Sequence, residues 1–344
     1  MAKTNSPFDL IVSKYEPKVR KALLDVFQQI KNEATVKKLV GALEKGGLTN
    51  LLMTIETIQK QVAPEFIRHL EDAIIESGRG IVKIIPKNGI KGAHIFSLVN
   101  PQTVEALNKH NLQLVQALTN DMRETALQVI RANMSAGNNP LKIAKEIRDT
   151  IGLAPYHENA VRNYRRMLEN KDREALKRAL RDKRYDKSLE KLINGKSIPQ
   201  DKIDQMVEAY KRKMLNYRAA TVARTETMRA VAMGEYMSLV QGVAEGSVDP
   251  NLRRFWVYRH DGKTRHAHTL IPSMNPEGVP VVGFFQTIHG PLLYPRDPRG
   301  LAKNTVNCRC RIQYKVIESA TGVTPPKPVI PPAPVYPSRN PRRR

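Results

Sequence analysis

Both cysteines of the chain, Cys308 and Cys310, sit two residues apart near its end, and they close a segment rich in side chains that can hold a metal, a proton or an anion. Trp256, the only tryptophan, opens this segment. Asp261-Gly262-Lys263-Thr264-Arg265-His266-Ala267-His268 follows, then Pro295-Arg296-Asp297-Pro298, then Asn307-Cys308-Arg309-Cys310. Four of the eight histidines fall between 260 and 289, so the scarce, chemically capable residues are concentrated here.

Two chemistries suit these types. Thiolate and imidazole are zinc ligands, and His268 or His266 with Cys308 and Cys310 supplies three, with Asp261 or His260 as a fourth. Against this, C-x-C lacks the C-x2-C turn that opens a zinc knuckle, and free cysteines pack as small apolar residues. The expectation is therefore no metal and no cofactor, with zinc at His268, Cys308 and Cys310 as the alternative. The second chemistry is metal-independent nucleic-acid cleavage. His268 would be its general acid or base and Arg265 would hold the anion, with Asp261 and Thr264 beside them. The sequence places no second strong acid or base. A structural role is preferred: Asp261-Gly262 as a tight turn, Arg265 paired with Asp261 or Asp297, and His268 hydrogen-bonded in a core. Arg224-Thr225-Glu226 is expected to reach the same region through an ion pair with Arg265 or Asp297. No catalytic residue is assigned, and the nuclease stands as the alternative. Gly-rich phosphate loops, G-K-[ST], H-E-x-x-H and G-x-S-x-G are all absent, which counts against nucleotide hydrolysis, zincin proteolysis and α/β-hydrolase chemistry.

The ordered set W-x4-D-x3-R-x2-H, Pro-Asp-Pro-like turn and closing N-C-R-C resembles the Mu F-like, or phage head-morphogenesis, domain of tailed-phage minor head proteins. Ala223-Arg224-Thr225-Glu226 matches the segment that leads into that domain. The resemblance covers about residues 215 to 317 and, more loosely, the helical region before them. It implies a minor head (capsid) protein that acts in head morphogenesis, in the virion's head interior and in the host cytoplasm during assembly. Its implied partners are the portal protein, the major capsid or scaffold proteins and packaged double-stranded DNA, with which some members are ejected. The residues it marks are Arg224, Glu226, Trp256, Asp261, Arg265, His268, Asp297, Asn307, Cys308 and Cys310. His266 is a departure, since it offers a second histidine inside the motif. Domains of this kind also look similar to toxin nuclease modules.

Charge points to the same class of partner independently. Lys and Arg number 57 against 33 Asp and Glu, a formal +24, and such an excess favours polyanions. Nothing suggests base readout, so the expected binding is electrostatic and sequence-independent, through Arg309, Arg311 and Lys315 and the terminal Arg342, Arg343 and Arg344. Met1 to Pro7 has no apolar stretch of a secretory signal, no apolar run approaches the roughly 18 residues of a membrane span, and no membrane partner is expected.

Elements that must position these residues can be read from periodicity. The expected class is α+β: a mainly helical N-terminal region, a small β-rich C-terminal domain and a disordered Pro/Arg-rich tail. Leu10, Ile11, Tyr15, Val19, Leu23, Leu24 and Phe27 form one helical stripe, Gly46-Gly47 interrupts, and Leu51 to Ile75 resumes it. Residues 79–96, with Ile81–Ile85 and His94–Phe96 between glycines, read as a short hairpin or loop insertion. Asn100-Pro101 starts a long helix with Val104, Leu107, Leu114, Ala117, Leu118, Met122, Leu127 and Ile130 buried. Asn139-Pro140 starts a short one that stops at Gly152. Residues 162–187 mix Arg and Lys with Asp and Glu, either a solvated helix laced with i,i+4 pairs or a basic face on phosphates. Ser197-Ile198-Pro199-Gln200 opens a helix through Gln241. Strands are expected at Phe255–Tyr258, Gly278–Phe285 and Cys308–Val316, the last with Cys308, Cys310, Ile312, Tyr314 and Val316 on one face and Arg309, Arg311, Gln313 and Lys315 on the other. The expected organisation is 1–98 helical, 99–242 long helices, 243–317 the Mu F-like β-rich domain and 318–344 a proline-rich basic tail.

Overall fold

The computed structural model describes residues 6–97 and 100–317, so the expectations for the tail and for Arg342, Arg343 and Arg344 lie outside the described residues. The class is α+β: mainly helical, with a small antiparallel three-stranded sheet near the C-terminus. The helices are α1 (Pro7–Glu33), α2 (Val36–Gly80), α3 (Pro101–Ser135), α4 (Pro140–Thr150), α5 (Pro155–Glu169), α6 (Asp186–Ile193) and α7 (Gln200–Ala244). Then come β1 (Leu252–Val257), the single turns α8 (His266–Thr269) and α9 (Ile271–Met274), β2 (Val279–Pro280), α10 (Ala302–Thr305) and β3 (Arg311–Val316). Among the described residues no helix is long and apolar enough to cross a membrane.

The chain divides into two compact units. One is built within Met1–Arg20, Ile67–Asn111 and Thr221–Arg344, the other from Lys21–Phe66 and Leu112–Ala220. The divisions fall inside α1, α2, α3 and α7, so each unit takes part of every long helix.

The second unit carries its own core around Leu153, Tyr164, Leu168, Leu192, Met206 and Tyr210, with Tyr164 stacked on Tyr210 at 4.3 Å between ring centroids. Asn139 caps α4 by accepting from the Lys142 N–H, and Gly152 turns the chain after it at φ +88°. The basic stretch 162–187 is no continuous helix. Lys171, at φ +55°, ends α5, and short 3-10 turns at Arg173–Lys177 and Lys183–Tyr185 follow. Five of its cations are ion-paired: Arg162 with Glu158, Arg165 with Asp204, Lys177 with Glu174, Arg181 with Asp186 and Arg184 with Asp182.

The first unit positions the motif. α1 opens with Ser6, whose Oγ accepts from the Asp9 N–H. Its buried stripe in this unit is Phe8, Ile11, Tyr15 and Val19, while Leu10 is exposed; Leu23, Phe27 and Ile30, also buried, lie on the part of α1 that belongs to the second unit. α3 departs from its expected frame as well. Val104 is exposed and Thr103 and His110 are buried instead, because polar residues take the inward positions of its first turns. In the part of α2 that belongs to the second unit, Gly46 and Gly47 leave helical geometry, Gly47 at φ +59°. Of the alternatives for residues 79–96, the structure has the loop and not the hairpin: 3-10 turns at Ile81–Lys83 and Lys87–Gly89 bury Ile81 and Ile85 beside Leu239, Val248 and Leu252, and Ile90 makes an isolated bridge to Val248.

In the sheet, order β2-β1-β3, Trp256 faces Ile312 and Arg254 faces Tyr314 and Val279. Two strands are shorter than expected, each for a visible reason. Pro280 has no N–H to continue β2, and the chain turns back through Gly283 N–H to Pro280 C=O. β3 starts at Arg311 because the carbonyls of Cys308 and Cys310 are taken by the Arg296 side chain. The alternation of faces persists: Cys308, Cys310 and Tyr314 are buried, while Arg311, Gln313 and Lys315 are exposed.

Helix packing in this unit leaves no room at Gly234, where a Cβ would stand 2.2 Å from Ser77 Oγ and 2.3 Å from the Ile74 carbonyl oxygen. Gly234→Ala is expected to lower stability by about 1–3 kcal/mol in urea unfolding. Gly41→Ala, in α2 with nothing within 4 Å of the added methyl, is the control and is expected to raise stability by about 0.5–1 kcal/mol. Equal effects at the two positions would refute the close approach.

Candidate functional site

The centre of the motif is a knot of buried polar groups inside the first unit. β1 directs Trp256 inward, and its indole meets His268 and Phe285 edge-on at 5.8 and 5.3 Å between centroids. The single turn α8 carries His268 into the same space, where it is 1% exposed. Asn307, at φ +55°, turns the chain into Cys308, and its N–H donates to Thr225 Oγ1 on α7 at 3.1 Å. Cys308 Sγ and Cys310 Sγ then each lie 3.5 Å from His268 Nδ1. The three ligand atoms lie within 4.8 Å of one another, the one such group of His, Cys, Asp or Glu among the described residues.

The other ring nitrogen is held by a directional relay. Thr287 Oγ1 donates to the Gly290 carbonyl, so it accepts from Asn304 Nδ2, and Asn304 Oδ1 is left to accept from His268 Nε2–H at 2.7 Å. Nδ1 is thereby the nitrogen that faces the sulfurs. Burial opposes protonation of His268, but the Cys308 and Asn304 hydrogen bonds outweigh it and raise its pKa. The hydrogen bond from the Cys310 thiol pulls Cys308 well below the ordinary thiol range against the effect of burial, with His268 and Arg296 adding to it. Cys310, donating, is pushed up correspondingly.

Arg296 closes the knot. Its side chain is fully buried, and one guanidinium nitrogen donates to the Cys308 and Cys310 carbonyls at 2.9 and 2.8 Å. The guanidinium lies 5.4 Å from the Phe8 ring centroid. Arg296 itself sits at φ +68°, and its carbonyl accepts from Arg229 Nε on α7. From Thr225 to Glu235 every residue of α7 is buried, polar ones included. Arg229 pairs with Glu226, and His110 Nε2 stands 3.7 Å from the same carboxylate. Burial pushes His110 down to about 4, so that contact is made by a neutral imidazole at neutral pH.

The remaining motif residues hold loops. Asp261 Oδ1 accepts from the Lys263 N–H and its carboxylate pairs with Arg309 at 2.5 Å, not with Arg265. Arg265 instead donates to the Val306 carbonyl, Thr264 to the Arg259 carbonyl. Asp297 accepts from the Leu293 N–H and pairs with Arg299. The expected ion pair from Arg224 or Glu226 to Arg265 or Asp297 is not formed. Arg224 pairs with Glu16 and Glu226 with Arg229, and it is the uncharged Thr225 between them that reaches Asn307. His260 and His266 are exposed and stand outside the cluster.

Three contributors carry no assignment from sequence. Arg296 stands in view inside Pro-Arg-Asp-Pro, but only burial distinguishes it from other arginines. Asn304 gives no signal, since its role depends on a contact 36 residues away. Arg254 on β1 is 1% exposed, donates to the carbonyls of Pro280, Gly283 and Leu293, and lies over the Tyr236 and Phe285 rings. A charged residue at an inward strand position reads as a break in the pattern, whereas here it organises the loops.

Comparison with family models, with curated proteins and with solved structures gives no match. The chemistry of the site therefore rests on its geometry. Soft donors converge in a closed apolar wall of Trp256, Ile271, Phe285 and Leu292. His268 has both ring nitrogens engaged and Arg265 is tied to the backbone, an arrangement suited to holding a structure together.

Glu235 offers a pH test of the same interior. Burial raises its pKa from 4.5 to about 7, against the hydrogen bond it accepts from the Tyr314 hydroxyl. Its folded value lies above its unfolded one, so between those values the unfolded chain has lost a proton that the folded chain keeps. Stability from this group falls as pH rises through that window and levels off above it, by on the order of 3 kcal/mol. His110 and His157, both pushed down to about 4 by burial, contribute with the opposite sign, so the difference between two proteins is the quantity to read. Urea unfolding is expected to show Glu235→Gln gaining on the parent chain between pH 5 and pH 7.5. A constant difference would show that Glu235 ionises freely in the fold.

Proposed function

We propose that this chain is a minor head protein of a tailed phage, acting in head morphogenesis beside the portal and procapsid and contacting packaged double-stranded DNA by charge alone. The observation that carries the reading is the division of labour along Cys308–Val316. The motif residues of the inward face close a buried knot, while the outward face presents Arg311 and Lys315, which make no ion pair among the described residues. Arg309 is shared with Asp261 at the edge. The formal +24 of the whole chain supports the same partner, because cations that replace condensed counterions on DNA gain affinity from their release. Residues 162–187 are the weaker candidate for that contact, since Arg162, Arg165, Lys177, Arg181 and Arg184 are matched by carboxylates and Asp and Glu are interspersed among the rest.

The nuclease alternative requires His268 and Arg265 on an open cleft with free rotamers. A histidine 1% exposed and bonded at both nitrogens favours the structural role. The test measures binding and cleavage together, on DNA and RNA, with and without chelator. The expected outcome is DNA binding without sequence preference whose affinity falls steeply with salt, and no cleavage. Arg311→Ala with Lys315→Ala is expected to reduce the slope of log affinity against log salt by about 0.9 for each phosphate that is no longer neutralised. Cleavage that disappears in a folded His268→Ala Arg265→Ala variant would overturn the reading in favour of an enzyme. Absence of the chain from purified heads, by mass spectrometry, would overturn the assignment to the head.

A further inference from the structure

We propose that His268 Nδ1, Cys308 Sγ and Cys310 Sγ bind a zinc ion, with the fourth coordination position taken by water or a small exogenous ligand. The spacing of the donors is the first argument. A zinc ion about 2.3 Å from sulfur and about 2.0–2.1 Å from nitrogen, with tetrahedral angles, sets each sulfur–nitrogen edge near 3.6 Å. Both sulfurs stand 3.5 Å from Nδ1, and the three atoms stay within 4.8 Å of one another. C-x-C is a poor knuckle in sequence, yet the buried Arg296 draws the Cys308 and Cys310 carbonyls to one guanidinium nitrogen, and the chain presents both sulfurs to one side.

Second, the histidine is already oriented as a ligand. Metal-bound imidazoles hold their other N–H on a fixed acceptor, and the Thr287–Asn304 relay does this for His268 Nε2. Third, the donor set selects the metal class. Two thiolates and an imidazole suit zinc and exclude calcium and magnesium, which take oxygen ligands. A dication with two thiolates is neutral, the form that an apolar wall of Trp256, Ile271, Phe285 and Leu292 accommodates best. This site stands on its own geometry and does not depend on the head-protein reading.

The experiment uses the full chain, purified under reducing conditions with neither chelator nor metal-affinity resin. Elemental analysis is expected to find about one zinc per folded chain. Cobalt(II) added to the stripped chain is expected to produce a thiolate-to-cobalt charge-transfer band, and zinc is expected to slow alkylation of Cys308 and Cys310. Cys308→Ser and Cys310→Ser each lose the band. Because either variant can fail to fold, Asn304→Leu supplies a second reading: with all three ligands intact, zinc affinity is expected to fall about 10–100-fold. A folded chain that carries no zinc, gives no cobalt band and alkylates at the same rate with and without zinc would overturn the site. Copper in place of zinc would overturn the assignment of the metal.

Discussion

The constraint on which the C-terminal architecture depends is the burial of Arg296. Taking a guanidinium out of water costs several kcal/mol unless its surroundings return the lost interactions. Here part of them comes from two carbonyls two residues apart, the face of Phe8, the nearby Cys308 and, at longer range, Glu235, while Nε and Nη2 have no hydrogen-bond partner among the described residues. Together they tie three elements to one point: the approach to β3, which supplies the carbonyls and Cys308, the start of α1 and the buried stretch of α7. The arginine's own carbonyl is held by Arg229, so its backbone is fixed as firmly as its side chain. Burial of the charge also explains a detail of the sheet, since carbonyls that face a guanidinium cannot serve a ladder and β3 begins after them.

A second buried arginine follows the same logic one strand away. Arg254 gathers three carbonyls from the 280–293 loop and stacks on Tyr236 and Phe285. Between them the two arginines satisfy the backbone of long connections that have little sheet to belong to. A domain with one two-residue strand and two six-residue strands has few ladder hydrogen bonds. Guanidinium donors replace part of them: Arg254 uses all three of its nitrogens and Arg296 uses one, which serves two carbonyls. The cost is sensitivity: removing either side chain strands several buried carbonyls at once.

The helical plan is legible in the sequence because its signals are local. Asn139-Pro140 caps α4, the glycine pair breaks α2, Gly152 turns the chain, and alternation across 308–316 places the cysteines inward and the basic residues outward. What escapes are decisions made by tertiary contacts. The frame of α3 differs from its apolar periodicity because Thr103 and His110, polar by type, take buried positions. Ion pairing differs for Arg224, Glu226, Asp261 and Arg265, because sequence can show that opposite charges are present but not which of several reach one another. Of the two alternatives for 79–96, a short hairpin or a loop insertion, the hairpin does not form for a related reason: β-branched residues also suit a buried 3-10 turn when a helix wall is beside them.

Placing the motif in the interior has a functional consequence. A strand that is buried on one face and basic on the other lets fold and binding be altered separately, because successive side chains along it point to opposite sides. Arg311 and Lys315 are exposed, the Lys315 ammonium 5.0 Å from the Phe255 ring centroid, while the backbone that carries them is clamped from behind by the knot at His268, Cys308 and Cys310. Electrostatic contact with DNA demands no fine geometry, only that charge be held at the surface against its own repulsion. On the proposed reading, the knot holds the backbone that carries these charges in place when no phosphate is near. On the proposed head-protein reading, the ordered, chemically capable residues around His268 anchor the basic surface of the same strand.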